Sequence, residues 1–131
     1  MRGIHSEPVE YDLGPDFIYR IQDASGRGPW RPGFSHHWIE PRSDHKYLKP
    51  WFVEFGRVDR LLCNWEYAGS ACATVKQLRR WFTRGEYQTL KKFGYRAVKI
   101  DVKRVLAMSK IQVVFSRLKP LNVDIDEFEL Y

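Results

Sequence analysis

A short apolar strand pattern that runs directly into a loop rich in glycine, proline and arginine constrains this chain more than any other feature. Residues 17–21 are β-branched or aromatic apart from Arg20, and Pro15 stands just before them, which is typical of the start of a strand. Arg20 therefore lies in the middle of a strand. The residues that follow free or fix the backbone repeatedly and exclude a regular element there: Gly26, Gly28, Pro29, Pro32 and Gly33.

The side chains of this loop combine guanidinium groups, flat aromatic faces and imidazoles. They are Arg27, Trp30, Arg31, Phe34, His36, His37 and Trp38. Two interpretations stay open. In one, Trp30, Phe34 and Trp38 fold back as a lid on the core; in the other, the loop is a surface for a ligand or a partner.

The charge is distributed unevenly along the chain. The whole sequence of 131 residues carries 22 basic and 16 acidic side chains, and 4 of the acidic ones lie in the acidic tail at residues 122–131. Residues 1–121 therefore hold 22 basic and 12 acidic side chains, a net charge of +10. A basic body of this kind is expected to bind a nucleotide or an acidic protein or nucleic-acid surface, and the tail could fold over it.

Length and composition favour a single domain over residues 1–131, preceded by an extended arm at residues 1–15 in which Val9 and Tyr11 are candidates for an edge strand. The apolar runs are too short to cross a bilayer and the polar N-terminus has no signal-peptide core, so we expect a soluble cytoplasmic protein without a membrane partner. Cys63 and Cys72 match no metal pattern and are expected to be small buried side chains, so no metal is predicted. His45 is expected at the surface.

Two capping boxes predict two short helices. Thr74 is followed three residues later by Gln77, and Thr83 by Glu86, the spacing at which a hydroxyl and a side-chain carbonyl satisfy free backbone N–H groups. Gly94 is suited to the left-handed end of the second helix. The two apolar runs before these helices, at residues 51–55 and 61–67, fit either strands or short helices.

Strands are predicted at residues 95–102 and 111–115, with a single turn around residues 103–107 between them. The expected fold class is α+β: a small mixed or antiparallel sheet with two short helices at residues 75–93 packed on it.

This order of elements resembles the layout of small ADP-ribosyltransferase-like domains. The resemblance implies that Arg20 on the first strand, Ser70 and Gln112 take the catalytic positions, and that NAD contacts Arg20, Arg27, Trp30 and Thr74. It also implies a cleft in which Arg20, Ser70 or Thr74, and a carboxylate such as Glu54 or Glu66 converge. Gln112 stands where these domains carry a catalytic Glu. A neutral amide can hydrogen-bond a sugar but cannot stabilise positive charge as a carboxylate does, so the resemblance leaves catalysis open.

The segments GRGPWRPGFS, QLRRWF and QVVF also make the chain similar to short proteins carried by phages and prophages. That resemblance implies an accessory role. Our first hypothesis is therefore an ADP-ribosyltransferase-like phage protein that binds NAD or a related nucleotide. The alternative is a non-catalytic anti-defence inhibitor that binds a protein or nucleic-acid complex through Trp30, Arg31, His36 and Trp38.

A third hypothesis treats the two predicted helices as a helix-turn-helix motif. Lys91 and Lys92 on the second helix would then face the phosphates of DNA. Two capped helices in an ordinary α+β domain would look the same in sequence.

Overall fold

The computed structural model describes residues 14–42, 44 and 47–131, so the predicted strand at Val9 and Tyr11 and the surface position of His45 lie outside the described residues. The strands are β1 (Phe17–Gln22), β2 (Tyr67–Ala71), β3 (Arg96–Asp101), β4 (Arg104–Met108), β5 (Val113–Arg117) and β6 (Asp126–Phe128). The helices are α1 (Trp51–Glu54), α2 (Val75–Trp81) and α3 (Arg84–Lys92), with 3-10 turns at Ser35–His37 and Val58–Leu61.

The strands form two antiparallel sheets of three strands each. The first has the order β1-β3-β6 and the second the order β2-β5-β4. An isolated bridge joins them: the N–H of Tyr19 donates to the carbonyl of Cys72 at 2.9 Å, and the N–H of Cys72 donates to that of Tyr19 at 2.8 Å. The α+β class is confirmed, and the predicted sheet is divided into two that meet at β1 and β2.

Both capping boxes are present. The Thr74 hydroxyl accepts from the Gln77 N–H at 3.1 Å and the Thr83 hydroxyl accepts from the Glu86 N–H at 3.1 Å, while each partner side chain bonds back to the N-cap N–H. Gly94 has φ of 90° just after α3, as the left-handed end of a helix requires. The apolar run at residues 51–55 forms a helix rather than a strand, and the run at residues 61–67 ends where β2 begins.

The turn predicted around residues 103–107 is wrong, because these residues form β4. Val105, Leu106 and Ala107 are all buried, and a register shift between Val105 and Ala107 interrupts the alternation. The following strand begins at Val113 rather than Ile111. The prediction of two buried cysteines is wrong for Cys63, which is exposed, and holds for Cys72.

Apolar packing occurs in two main layers. One cluster lies where the sheets meet and includes Ile18, Val98 and Phe115. The other lies under the two long helices and includes Trp38, Leu78, Trp81, Phe82, Tyr87 and Leu90. None of the helices in the described part of the chain has the length and apolar character needed to cross a membrane.

The acidic tail is part of the fold. Asp126–Phe128 pairs with β3 as strand β6, and Leu130 is fully buried. The Glu129 carboxylate contacts the Lys91 ammonium at 2.7 Å. The tail therefore covers one basic side chain of α3, in agreement with the expectation that it folds over basic surface.

Candidate functional site

A cavity of about 720 Å³ lies beside the junction of β1 and β2. The glycine-rich loop, the start of α1, helix α2 and the residue just before β5 complete its wall. This volume is in the range of pockets that hold small molecules and cofactors. The polar or charged side chains that line it are Arg20, Arg27, Arg31, Ser70 and Gln112, together with the indoles of Trp30, Trp51 and Trp81 and the thiol of Cys72.

Arg20 is the most unusual of these residues. Its side chain is buried, with 7% of the residue exposed, yet its Nε and Nη1 atoms have no hydrogen-bond partner among the described residues. Burial lowers the pKa of this guanidinium to about 10, and the charge of Asp23 opposes that shift. Arg20 is therefore a buried residue without a salt bridge among the described residues.

Two glycines make room for the Arg20 guanidinium. A Cβ atom at Gly69 would lie 2.0 Å from Arg20 Nη1, and a Cβ atom at Gly28 would lie 3.3 Å from Arg20 Nη2. Gly69 is in the middle of β2, where glycine usually weakens a strand and marks a close approach. The backbone of β2 is thus shaped to let an arginine from β1 reach the cavity.

Trp30 forms an aromatic wall of the cavity. Its ring centroid lies 4.8 Å from that of Trp38, 6.1 Å from that of Trp81 and 6.3 Å from that of Phe82. Trp30 remains 45% exposed, whereas Trp38 is 3% exposed and belongs to the core. The ring of Trp38 is covered in this structure, and the partner-binding role predicted for this residue stays a prediction. Phe34 also packs against the core, so the lid interpretation holds for these two residues.

Gln112 lies at the cavity wall in a defined orientation. Its Nε2 atom donates to the Lys49 carbonyl at 2.7 Å and to Glu54 Oε1 at 2.9 Å. Both partners are acceptors, so the nitrogen must be the end of the amide that faces them. Gln112 is 3% exposed, so its side chain is buried in the wall of the cavity and does not lie at the surface.

The cavity brings together several of the residues predicted from sequence. Arg20, Arg27, Trp30, Arg31, Ser70 and Gln112 all line it. Glu54 is not part of the lining, but its carboxylate accepts a hydrogen bond from Gln112. Glu66 is engaged elsewhere: its carboxylate accepts from Arg104 and from the Ser116 hydroxyl. Arg20 and Ser70 thus line the same cavity, but neither Glu54 nor Glu66 does, so the implied convergence with a carboxylate stays a prediction.

Other predicted residues lie outside the cavity lining. Thr74 caps α2 with its hydroxyl, and His36 is in an exposed 3-10 turn with its ring 4.0 Å from that of His37. Lys91 pairs with Glu129, and Lys92 is exposed next to it. The two helices of the helix-turn-helix hypothesis exist, and α3 buries Tyr87 and Leu90 against the body of the protein.

Sequence reasoning missed much of the apolar wall of the cavity: Trp51, Phe52, Trp81, Phe82 and Leu121. Gly69 in a strand was the available signal of a close approach. The described residues contain no group of three or more His, Cys, Asp or Glu side chains that could hold a metal ion.

Comparison with known proteins identifies the family of this chain. A family model described as Bacteriophage T4 Y00F protein matches residues 9–129. The chain belongs to this phage protein family. No curated protein and no solved structure matches it. The resemblance to phage proteins is therefore confirmed, whereas the resemblance to ADP-ribosyltransferase-like domains finds no support in these comparisons.

Proposed function

We propose that this phage protein binds NAD or a related nucleotide in the cavity around Arg20, as an ADP-ribosyltransferase-like domain would. The observation that carries the proposal is the Arg20 guanidinium, which is buried, faces the cavity and has two nitrogen atoms without a hydrogen-bond partner among the described residues. An uncompensated buried charge is costly to a fold. A phosphate oxygen in the cavity would supply the missing acceptors, and arginine is well suited to bind phosphate.

The charges of the cavity favour an anionic ligand. Arg20, Arg27 and Arg31 line it, and no aspartate or glutamate among the described residues does. Arg31 Nε is also buried without a hydrogen-bond partner among the described residues. Several guanidinium groups around one space suit a ligand with more than one negative charge, such as the diphosphate of a dinucleotide.

The aromatic wall supports a ligand with flat rings. Trp30 and Phe52 line the cavity and keep about half of their surface exposed, and Trp51 lies beside Phe52 with its ring centroid 5.6 Å away. Stacking of a base on an aromatic side chain contributes about 1–3 kcal/mol. A nucleotide combines the phosphate and the flat base that this cavity favours.

Binding is supported more directly than group transfer. No carboxylate among the described residues lines the cavity, and Gln112 can only donate or accept hydrogen bonds. Transfer of ADP-ribose passes through a centre of developing positive charge, which a carboxylate stabilises and an amide does not. The proposal is therefore a nucleotide-binding protein in which any transfer would be slow.

The test is isothermal titration of the purified protein with NAD and with ADP-ribose, together with an assay for nicotinamide release. We expect both ligands to bind and Arg20→Met to weaken each by roughly a hundredfold, because the charged contact to phosphate is lost. Arg80→Met is the matched control, since Arg80 is exposed and lies outside the cavity lining.

Two results would overturn the proposal: no binding by the wild-type protein, or binding that Arg20→Met leaves unchanged. The first result would favour the alternative of a protein or nucleic-acid partner at the loop that carries Trp30 and Arg31. Nicotinamide release by the wild-type protein would show in addition that transfer or hydrolysis takes place.

A further inference from the structure

We propose that Gln112 is a specificity residue that accepts a hydrogen bond from a sugar hydroxyl of the ligand, and that Glu54 is the positioning residue that holds it in this orientation. This inference rests on the proposed nucleotide site and adds to it a second point of recognition. Arg20 would bind the anionic part of the ligand, and Gln112 a neutral hydroxyl.

The hydrogen bonds of Gln112 determine which end of the amide is available. A primary amide has two N–H donors and one carbonyl acceptor. Both donors are used, one by the Lys49 carbonyl and one by Glu54 Oε1. The Oε1 atom of Gln112 accepts no hydrogen bond from the described residues, although the residue lines the cavity. Gln112 therefore offers the ligand an acceptor and no donor.

Helix α1 places Glu54 behind Gln112. The helix is a single turn whose closing N–H groups donate to the Pro50 and Trp51 carbonyls, and its first residues, Trp51 and Phe52, line the cavity. A hydrogen bond to a carboxylate is stronger than one to a neutral acceptor. Glu54 thus fixes the amide against rotation, and the same turn that supplies aromatic cavity wall also orients the polar group.

The surroundings of residue 112 are built for an amide. A glutamate at this position would have no N–H to donate to the Lys49 carbonyl, and its carboxylate would be placed beside that of Glu54. Two carboxylates at this distance repel each other and leave acceptors unpaired. Gln112 is therefore better explained as a recognition residue than as a catalytic glutamate that has been replaced.

A negative group of the ligand would be unfavourable near Gln112, because Oε1 and Glu54 both present acceptors there. A hydroxyl is favourable, since it can donate to Oε1. ADP-ribose and ADP provide a pair of probes for a hydroxyl of the second sugar: both carry adenosine and a diphosphate, only ADP-ribose carries the second sugar, and ADP carries one more negative charge on its terminal phosphate.

The experiment is titration of both probes into the wild-type protein, Gln112→Met, Glu54→Ala and the double variant. We expect the wild-type protein to prefer ADP-ribose, Gln112→Met to reduce that preference by about threefold to tenfold, and Glu54→Ala to reduce it less. The double variant should behave as Gln112→Met alone, because Glu54 acts through Gln112. Glu127→Ala, an exposed carboxylate on β6, is the control and should keep the wild-type preference.

The ratio of the two affinities distinguishes an effect on recognition from an effect on folding, because a general loss of folded protein reduces the binding of both probes equally. A wild-type protein that binds both probes without preference, or a Gln112→Met variant that keeps the preference, would overturn the inference and leave the proposed function intact. Additive losses in the double variant would overturn the positioning role of Glu54. A wild-type protein that binds neither probe would overturn the proposed function and this inference together.

Discussion

Two buried arginines of this protein have opposite environments. Arg117, at the end of β5, is 1% exposed, and its two terminal nitrogens donate to four acceptors: the carbonyls of Pro120, Val123 and Asp124 and the carboxylate of Asp101. Arg20, in the middle of β1, is 7% exposed and has no hydrogen bond or salt bridge from the described residues. Both side chains are buried and both have an Nε atom without a hydrogen-bond partner among the described residues, but only the terminal nitrogens of Arg117 form hydrogen bonds.

This difference distinguishes the folding role of Arg117 from the binding role that we propose for Arg20. Arg117 gathers the carbonyls of the segment that follows β5 and brings that segment back toward Asp101. The donors of its two terminal nitrogens are used by the protein itself. Arg20 lines a cavity, and Gly28 and Gly69 leave the space that its guanidinium occupies. A buried cation without hydrogen-bond partners is costly to a fold, which supports our proposal that Arg20 binds a ligand.

The largest effect is expected from Arg117→Met. This change leaves three carbonyls without their donor, at about 1–3 kcal/mol for each acceptor left unsatisfied, whereas the Asp101 carboxylate is 55% exposed and can bind water; we expect a total cost of about 3 kcal/mol. The free energy of unfolding from urea denaturation should fall by that amount, while Arg80→Met should leave it nearly unchanged. An unaffected midpoint for Arg117→Met would remove the folding side of the comparison.

A smaller effect of opposite sign is expected from Arg20→Met in the absence of ligand. The substitution replaces an uncompensated buried charge by an apolar side chain of similar length, so the free energy of unfolding should rise by about 1–3 kcal/mol. The same variant should no longer gain thermal stability from NAD, because a ligand stabilises only the state that binds it. Destabilisation as large as that of Arg117→Met would instead give Arg20 a structural role.

Gly69→Ala should act on binding more than on folding. The added Cβ would lie 2.0 Å from Arg20 Nη1, so the guanidinium must move away from its position in the cavity. We expect about a tenfold loss of NAD affinity with a change in unfolding free energy of about 1 kcal/mol. Gly28→Ala is the matched variant. Its Cβ would lie 3.3 Å from Arg20 Nη2, so the loss of NAD affinity should be smaller. Equal affinity in all three proteins would show that the position of the guanidinium does not matter for binding.

The elements with explicit local signals could be predicted from the sequence. The two capping boxes gave both long helices, and the apolar pattern around Arg20 gave β1. Strand β4 was missed because Val105, Leu106 and Ala107 are buried without alternation, and a register shift stands where the pattern should repeat. A strand covered on both faces has no periodic signal that distinguishes it from a turn of apolar residues.

The candidate site was predictable only in part for a different reason. Arg20 and Gln112 could be named because strand patterns placed them, but the bridge between Tyr19 and Cys72 that brings the two sheets together has no signature in either segment. The burial of Trp38 and the exposure of Trp30 are decided by tertiary packing, in which Trp30 lies against both Trp38 and Trp81 of α2. The link from Glu54 to Gln112 joins residues 58 positions apart, beyond the reach of any local pattern.

An effect that appears only at acid pH concerns Arg104, a third arginine, whose partner is again a protein group. Its Nε and Nη2 atoms donate to the Glu66 carboxylate at 2.9 and 2.7 Å, and these bonds lower the pKa of Glu66 from 4.5 to about 2 against the effect of burial. A carboxyl group whose pKa is lower in the folded state stabilises the fold above the pKa of the unfolded state, and this contribution is lost as the pH falls toward the folded value. The loss should therefore develop between about pH 5 and pH 2 and be absent near neutral pH.

The measurement is the urea midpoint at a series of pH values for the wild-type protein and Glu66→Gln. The variant should be less stable at neutral pH and should lose less stability on acidification, because it has no proton to gain at this position. Parallel curves for the two proteins would show that Glu66 does not carry the acid dependence. Converging curves would place Arg104 with Arg117, as an arginine that is hydrogen-bonded to groups of the protein, in contrast to Arg20, for which we propose a ligand as the acceptor.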